Sequence, residues 1–185
     1  MKKIILFLAL IMPAVVLAQN EANAKLSKYE QFTSKTGKIY KYVDVKLPSI
    51  RVKYGDALRT TVRTLLGEQN NTYFYIVDNP GESRSSSYKA MIEYSDLVNI
   101  NIALKRLISE VKGDREANPD YLENKFVGED GFQIGYYVSE GDVLWFMLLC
   151  SYSNSMVFID DAESLAYDFN AAQIEIENLK LKYGK

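Results

Sequence analysis

The chain has 185 residues, with 22 basic and 24 acidic side chains, a net charge of −2, one cysteine and no histidine. The missing imidazole excludes Ser-His-Asp and Cys-His catalysis, the commonest zinc ligand sets and histidine-based pH switching. A lone cysteine excludes an intrachain disulfide, so stability has to come from burial and hydrogen bonding.

The chain opens "MKKIILFLALIMPAVVLAQ": two lysines, an apolar stretch from Ile4 to Val16, then small residues before Gln19. This order predicts a secretory signal peptide over residues 1–18, cleaved after Ala18. The stretch is shorter than the roughly 20 apolar residues of a membrane helix and contains Pro13. No cysteine follows the cut to take a lipid. The expected product is periplasmic or extracellular, without an integral membrane segment. Loss of 18 of the 185 residues would leave 167, the size of one domain with its own core.

Charge is uneven along that product. Residues 19–66 hold 10 basic and 4 acidic groups, whereas residues 67–185 hold 10 and 20. Mutual neutralisation within one fold explains the split, and the absence of a basic cluster argues against a nucleic-acid partner.

Residues 19–35 read as a polar linker or frayed helix, and residues 36–185 as a single domain. From Ile39, the alternation of Val43, Val45 and Leu47 with Tyr42, Asp44 and Lys46 predicts a strand ended by Pro48. "DALRTTVRTLL" fits helix or strand, with its threonines favouring strand; "GEQNN" then reads as a hairpin loop before "TYFYIVD". "NPGESRSSS" predicts an exposed loop, and "YKAMIEY" a returning strand. Ser95 is placed to cap a helix carrying Leu97, Ile100, Leu104, Leu107, Ile108 and Val111 on one stripe, with Gly113 at its end.

The second half repeats the order. "LENKFV", "FQIGYYV", "VLWFMLLC" and "SMVFI" are separated by turn-rich links and predict an antiparallel meander. Asp160, with Glu163 three residues on, predicts the start of a helix carrying Leu165, Phe169, Ala172, Ile176 and Leu179. Strands followed by a helix, twice, predict an α+β fold with two main helices packed on one face of antiparallel sheet. The run Val143–Cys150 is apolar on both faces, as expected of a central strand covered by helices on one side and by further chain or a partner on the other. Trp145 and Cys150 are both expected in the core.

No catalytic, metal or cofactor site emerges from the remaining motifs. "DREANPD" spaces Asp114, Glu116, Asn118 and Asp120 like half of a calcium loop, but Pro119 and Lys125 stand where that loop needs glycine and glutamate. The carboxylate pairs Glu129/Asp130, Glu140/Asp142 and Asp160/Asp161 could serve a glycan-directed hydrolase, yet all lie at predicted turns or a helix start. The 14 tyrosines stand out. Tyr73, Tyr75, Tyr136, Tyr137 and Tyr152 are expected to line a sheet face that binds a small molecule, a glycan or a protein partner. The reading is therefore a non-catalytic binding module. Its alternatives are a carboxylate-based hydrolase and a structural component of an envelope assembly, and a homo-oligomer is compatible with any of the three.

Overall fold

A computed structural model describes residues 26–81, 87–151 and 155–184. The expected leader, the centre of "NPGESRSSS" and Tyr152 lie outside the described residues.

Among the described residues, eight strands form two antiparallel sheets. The first is β1 (Lys41–Ile50), β2 (Leu58–Leu66), β3 (Thr72–Asn79) and β4 (Tyr88–Glu93), and the second is β5 (Leu122–Val127), β6 (Gln133–Ser139), β7 (Asp142–Leu148) and β8 (Met156–Ile159), each in sequential order. A short helix α1 (Lys28–Thr33) precedes the first sheet; α2 (Tyr94–Glu116) follows it and α3 (Ala162–Tyr183) follows the second. The fold is α+β, with the order of four strands and a helix occurring twice.

One core joins the two halves. Val62, Tyr75 and Val77 of the first sheet and Ile134, Tyr136, Trp145 and Met147 of the second belong to the same buried cluster, with the apolar stripes of both long helices. α2 packs against β3 to β7 and against α3, while α3 also reaches β1 and β2. The helical stripes are those the sequence spacing predicts: Leu97, Ile100, Leu104 and Leu107 on α2, and Leu165, Phe169, Ala172, Ile176 and Leu179 on α3, are all buried. Asn101, buried where the helices cross, donates to the Phe169 carbonyl and to Gln173 Oε1 at 2.8 Å. A buried polar group of this kind fixes how the helices sit against each other, since any shift would leave it unpaired. Among the described residues, no helix is long and apolar enough to cross a membrane.

The residues from Leu58 to Leu66 are a strand: Leu58, Thr60, Val62 and Thr64 turn inward at period two, and pairing with both neighbours outweighs any helical spacing. Pro48 does not end β1. The strand runs on to Ile50 through a register shift, which a proline tolerates on an edge strand because its missing N–H can face outward. Ile39 stands wholly exposed before the strand begins. Helix starts move by a residue or two: Glu93, not Ser95, caps α2 by accepting from the Ser95 N–H, and Asp161, not Asp160, caps α3 by accepting from the Glu163 N–H. Cys150 lies just beyond β7 and is half-buried rather than in the core, because it borders a cleft.

The segment read as linker or frayed helix contains α1, which has a complete capping box between Ser27 and Glu30. Its ring contacts explain why so short a helix holds: Tyr29 and Phe32 meet Phe74 edge-on, with centroids 5.3 and 6.1 Å away, on the side of β3 opposite the long helices. Asp130, between β5 and β6, accepts from the Lys28 N–H at 3.0 Å, so α1 touches both halves.

Candidate functional site

Alternation along strands decides where the tyrosines point. Neighbouring residues face opposite sides of a sheet, so Tyr136 and Tyr137 cannot line one surface. Tyr73, Tyr75 and Tyr136 turn toward the helices and are buried, the last two completely. Tyr75 meets Phe169 edge-on at 5.2 Å, and Tyr136 lies 4.8 Å from Trp145. Of the tyrosines expected to form a binding face and described here, Tyr137 alone looks outward. The other three are core residues whose hydroxyls need internal partners. Tyr136 donates to Asp114 at 2.5 Å and accepts from Asn124, which also donates to Glu110. Burial and then the Asp114 carboxylate hold the Tyr136 phenol above its ordinary range, and burial does the same for Tyr75. Asp114 is thus engaged with a core tyrosine.

The outward face of the second sheet is nonetheless aromatic and aliphatic. Register places Tyr137 on β6 across from Leu144 on β7, and Phe146 across from Phe158 on β8. The Tyr137 and Phe146 rings stack at 4.5 Å, and Tyr121 extends the row at 5.9 Å from Tyr137. At the β8 margin Tyr54 packs edge-on against Phe158. Tyr121, Val127 and Tyr54 are 61%, 54% and 67% exposed, so a largely apolar surface reaches solvent at both margins. On the equivalent face of the first sheet, α1 lies over Phe74. There Arg63 makes paired hydrogen bonds to Asp44 at 2.8 Å and sits 4.1 Å over the Tyr42 ring, so that face is polar as well as covered.

A separate cleft of about 750 Å³ lies between the halves, bordered by β4, the β5–β6 turn and Cys150. Its carboxylates hold the fold together. Asp130 takes the Lys28 backbone N–H, and Asp96 takes the Lys28 ammonium at 2.9 Å, with Glu129 at 3.7 Å. Burial opposes the charge on Lys28, but the Asp96 hydrogen bond and the carboxylates of Asp96, Glu129 and Glu93 outweigh it and raise its pKa. Of the other pairs weighed for hydrolysis, Asp161 caps a helix, and Glu140 sits in the β6–β7 turn with positive φ beside Gly141. Asp168 on α3 is held above the ordinary carboxylate range by burial, but it borders neither this cleft nor the groove beside β5. Glu30, Asp96, Glu129 and Asp130 all border the cleft, but Glu30 closes the α1 capping box and the other three are turned to Lys28.

No family model, curated relative or solved structure matches this chain. The exposed contributors Tyr54, Tyr121 and Val127 lie outside the tyrosines singled out from sequence. The alternation of Leu144, Phe146 and Leu148 along β7 was the available signal for this face.

Proposed function

We propose that this chain is an exported, non-catalytic module that binds a protein partner through the outward face of its second sheet. The observation that supports this is the continuous apolar row from Tyr121 through Tyr137 and Phe146 to Phe158 and Tyr54, on the side of β7 away from the long helices. Aromatic anchors framed by charged margins suit a protein interface, in which a few large rings supply most of the binding energy. Glu123 and Lys125 border the row at one edge and Lys53 at the other, where its ammonium lies 5.9 Å from the Tyr54 ring. A small ligand is the weaker choice because such ligands favour enclosed pockets with converging polar groups, whereas this row exposes rings at its margins and keeps Phe146 at its centre 1% exposed. On this reading the leader ending at Ala18 delivers the module to the periplasm or the cell exterior. Its partner there is a protein with an apolar surface of its own, whether a soluble ligand or a component of an envelope assembly.

Site-specific photocrosslinking in the producing cells tests the proposal. A photoreactive side chain at Tyr54 or Leu144 is expected to trap a discrete partner. The same group at Tyr167, 74% exposed on α3, is expected to trap none. Equal crosslinking from all three positions, or none from Tyr54 and Leu144, refutes the face assignment.

A further inference from the structure

The four sheet edges are not alike. β1 carries Pro48 and a register shift, which blunt it. The β8 edge is met by the chain after β1: the Lys53 N–H donates to the Phe158 carbonyl at 2.7 Å. β4 borders the cleft and is touched by α1. β5 pairs with β6 on one side, and among the described residues no backbone group is bonded along its other side. Next to that bare side α2 and β5 enclose a groove of about 510 Å³, walled by Ile102, Ala103, Leu107 and Phe126, with Arg106 and Glu110 at its rim. An open edge beside an apolar groove is a template for one more strand, whose alternate side chains would enter the groove.

We propose that this strand is β5 of a second copy, paired antiparallel about a twofold axis through Asn124. The argument is one of register and charge. Directly opposed residues in an antiparallel pair share a face, so the long helices of both copies lie on one side of the joined sheet only if like faces meet. A slip by one residue would set the inward Leu122 against the outward Val127 and is excluded. Of the registers that remain around the middle of the strand, one places Glu123 opposite itself and another places Lys125 opposite itself, each juxtaposing like charges. Centring on Asn124 instead sets Glu123 against the partner's Lys125 twice and Leu122 against the partner's Phe126 twice. Tyr121 then meets the partner's Val127, and both of these side chains are more than half exposed in the single chain. Within one chain Glu123 and Lys125 already form an ion pair at 2.7 Å, so self-pairing turns two local pairs into a ring of four alternating charges. Lysine on an edge ordinarily discourages strand addition; here it discourages strands lacking the matching glutamate. On the inward face, the partner's Phe126 and Leu122 come to lie over the groove beside Ile102 and Ala103. The contact is isologous and closes at two copies, giving an eight-stranded sheet.

This proposal goes beyond the binding function and shares Tyr121, Glu123 and Lys125 with that face, but the crosslinking sites at Tyr54 and Leu144 lie off β5, so the two tests can fail separately. Sedimentation velocity on the purified full chain tests it, with circular dichroism to establish folding. A dimer is expected with a Kd on the order of micromolar, as a six-residue strand pair with a small apolar contact allows. Glu123→Lys and Lys125→Glu should each weaken self-association at least about tenfold, because each opposes like charges twice. An equimolar mixture of the two variants should restore dimers, since every opposed pair is again of unlike charge. Without any substitution, amide exchange across Leu122–Val127 should slow at least about tenfold between dilute and concentrated samples. A wild-type chain that stays monomeric to about 200 µM overturns the proposal. So do folded single variants that dimerise like the wild type, a mixture that fails to dimerise, or exchange in β5 that is independent of concentration.

Discussion

Phe169→Ala tests whether the two sheets share one core. The Phe169 ring is fully buried on α3, 5.2 Å from Tyr75 of the first sheet and 6.0 Å from Phe132, just before β6 of the second. Removing a ring that buries about 150–200 Å² forfeits roughly 4–5 kcal/mol at 25 cal/mol per Å². Measured Phe→Ala changes in cores span about 3–5 kcal/mol, which sets the expected loss. For a chain of this size the same loss lowers the melting temperature by roughly 6–20 °C. Urea unfolding should be followed by far-ultraviolet circular dichroism, which reports both halves, and by fluorescence of Trp145, which reports the second. The two transitions should coincide in the wild type and move together in the variant, with unchanged slope. A loss below about 1 kcal/mol, or a fluorescence transition that stays put while the circular dichroism transition shifts, would refute a shared core.

Three further outcomes follow from local geometry. At Gly135 an added Cβ would overlap the Asn124 carbonyl oxygen and stand 2.7 Å from Lys125 Cα, so Gly135→Ala should cost about 1–3 kcal/mol in denaturant titration despite its small size. Tyr75 and Tyr136 have folded pKa values raised above the unfolded value of about 10, so the native state retains their protons and its stability is complete below that pH and declines above it. Absorbance at the tyrosinate band should therefore show these two phenols ionising only as the chain unfolds in alkali. Asp168, also held up by burial, has the same consequence at lower pH: the native state favours its protonated form, and stability falls as pH rises through its folded pKa. Asp168→Asn should raise the melting temperature at pH 7, with the gain vanishing near pH 3; a gain that is the same at both pH values would contradict the assigned cause.

Sequence patterns revealed those parts of the fold that depend on neighbours along the chain. The stripes of α2 and α3 and the meander from Leu122 to Ile159 were visible because helix and strand periods are local, and turn residues separate the strands. Placing Trp145 in a middle strand followed from the apolar run on both faces. The candidate surface was harder to read, because the chemistry of tyrosine is the same whether it faces a helix or water. Only parity distinguishes Tyr136 from Tyr137, and only the packing shows that the inward one reaches Asp114. α1 was illegible for a different reason. Six residues cannot sustain a helix alone, and those that secure this one, Phe74 and Asp130, lie far along the chain. The half-buried position of Cys150 likewise depends on a cleft built by segments remote from it in sequence.

The docking of α1 has a consequence for the order in which the molecule assembles. Lys28 bonds to Asp130, 102 positions later, and its ammonium reaches Asp96 in between. A chain made from its amino end presents α1 before β3, so the helix can settle on Phe74 only once the first sheet has followed, and its bond to Asp130 has to wait for the second. Its contacts with the second half therefore form after those with the first.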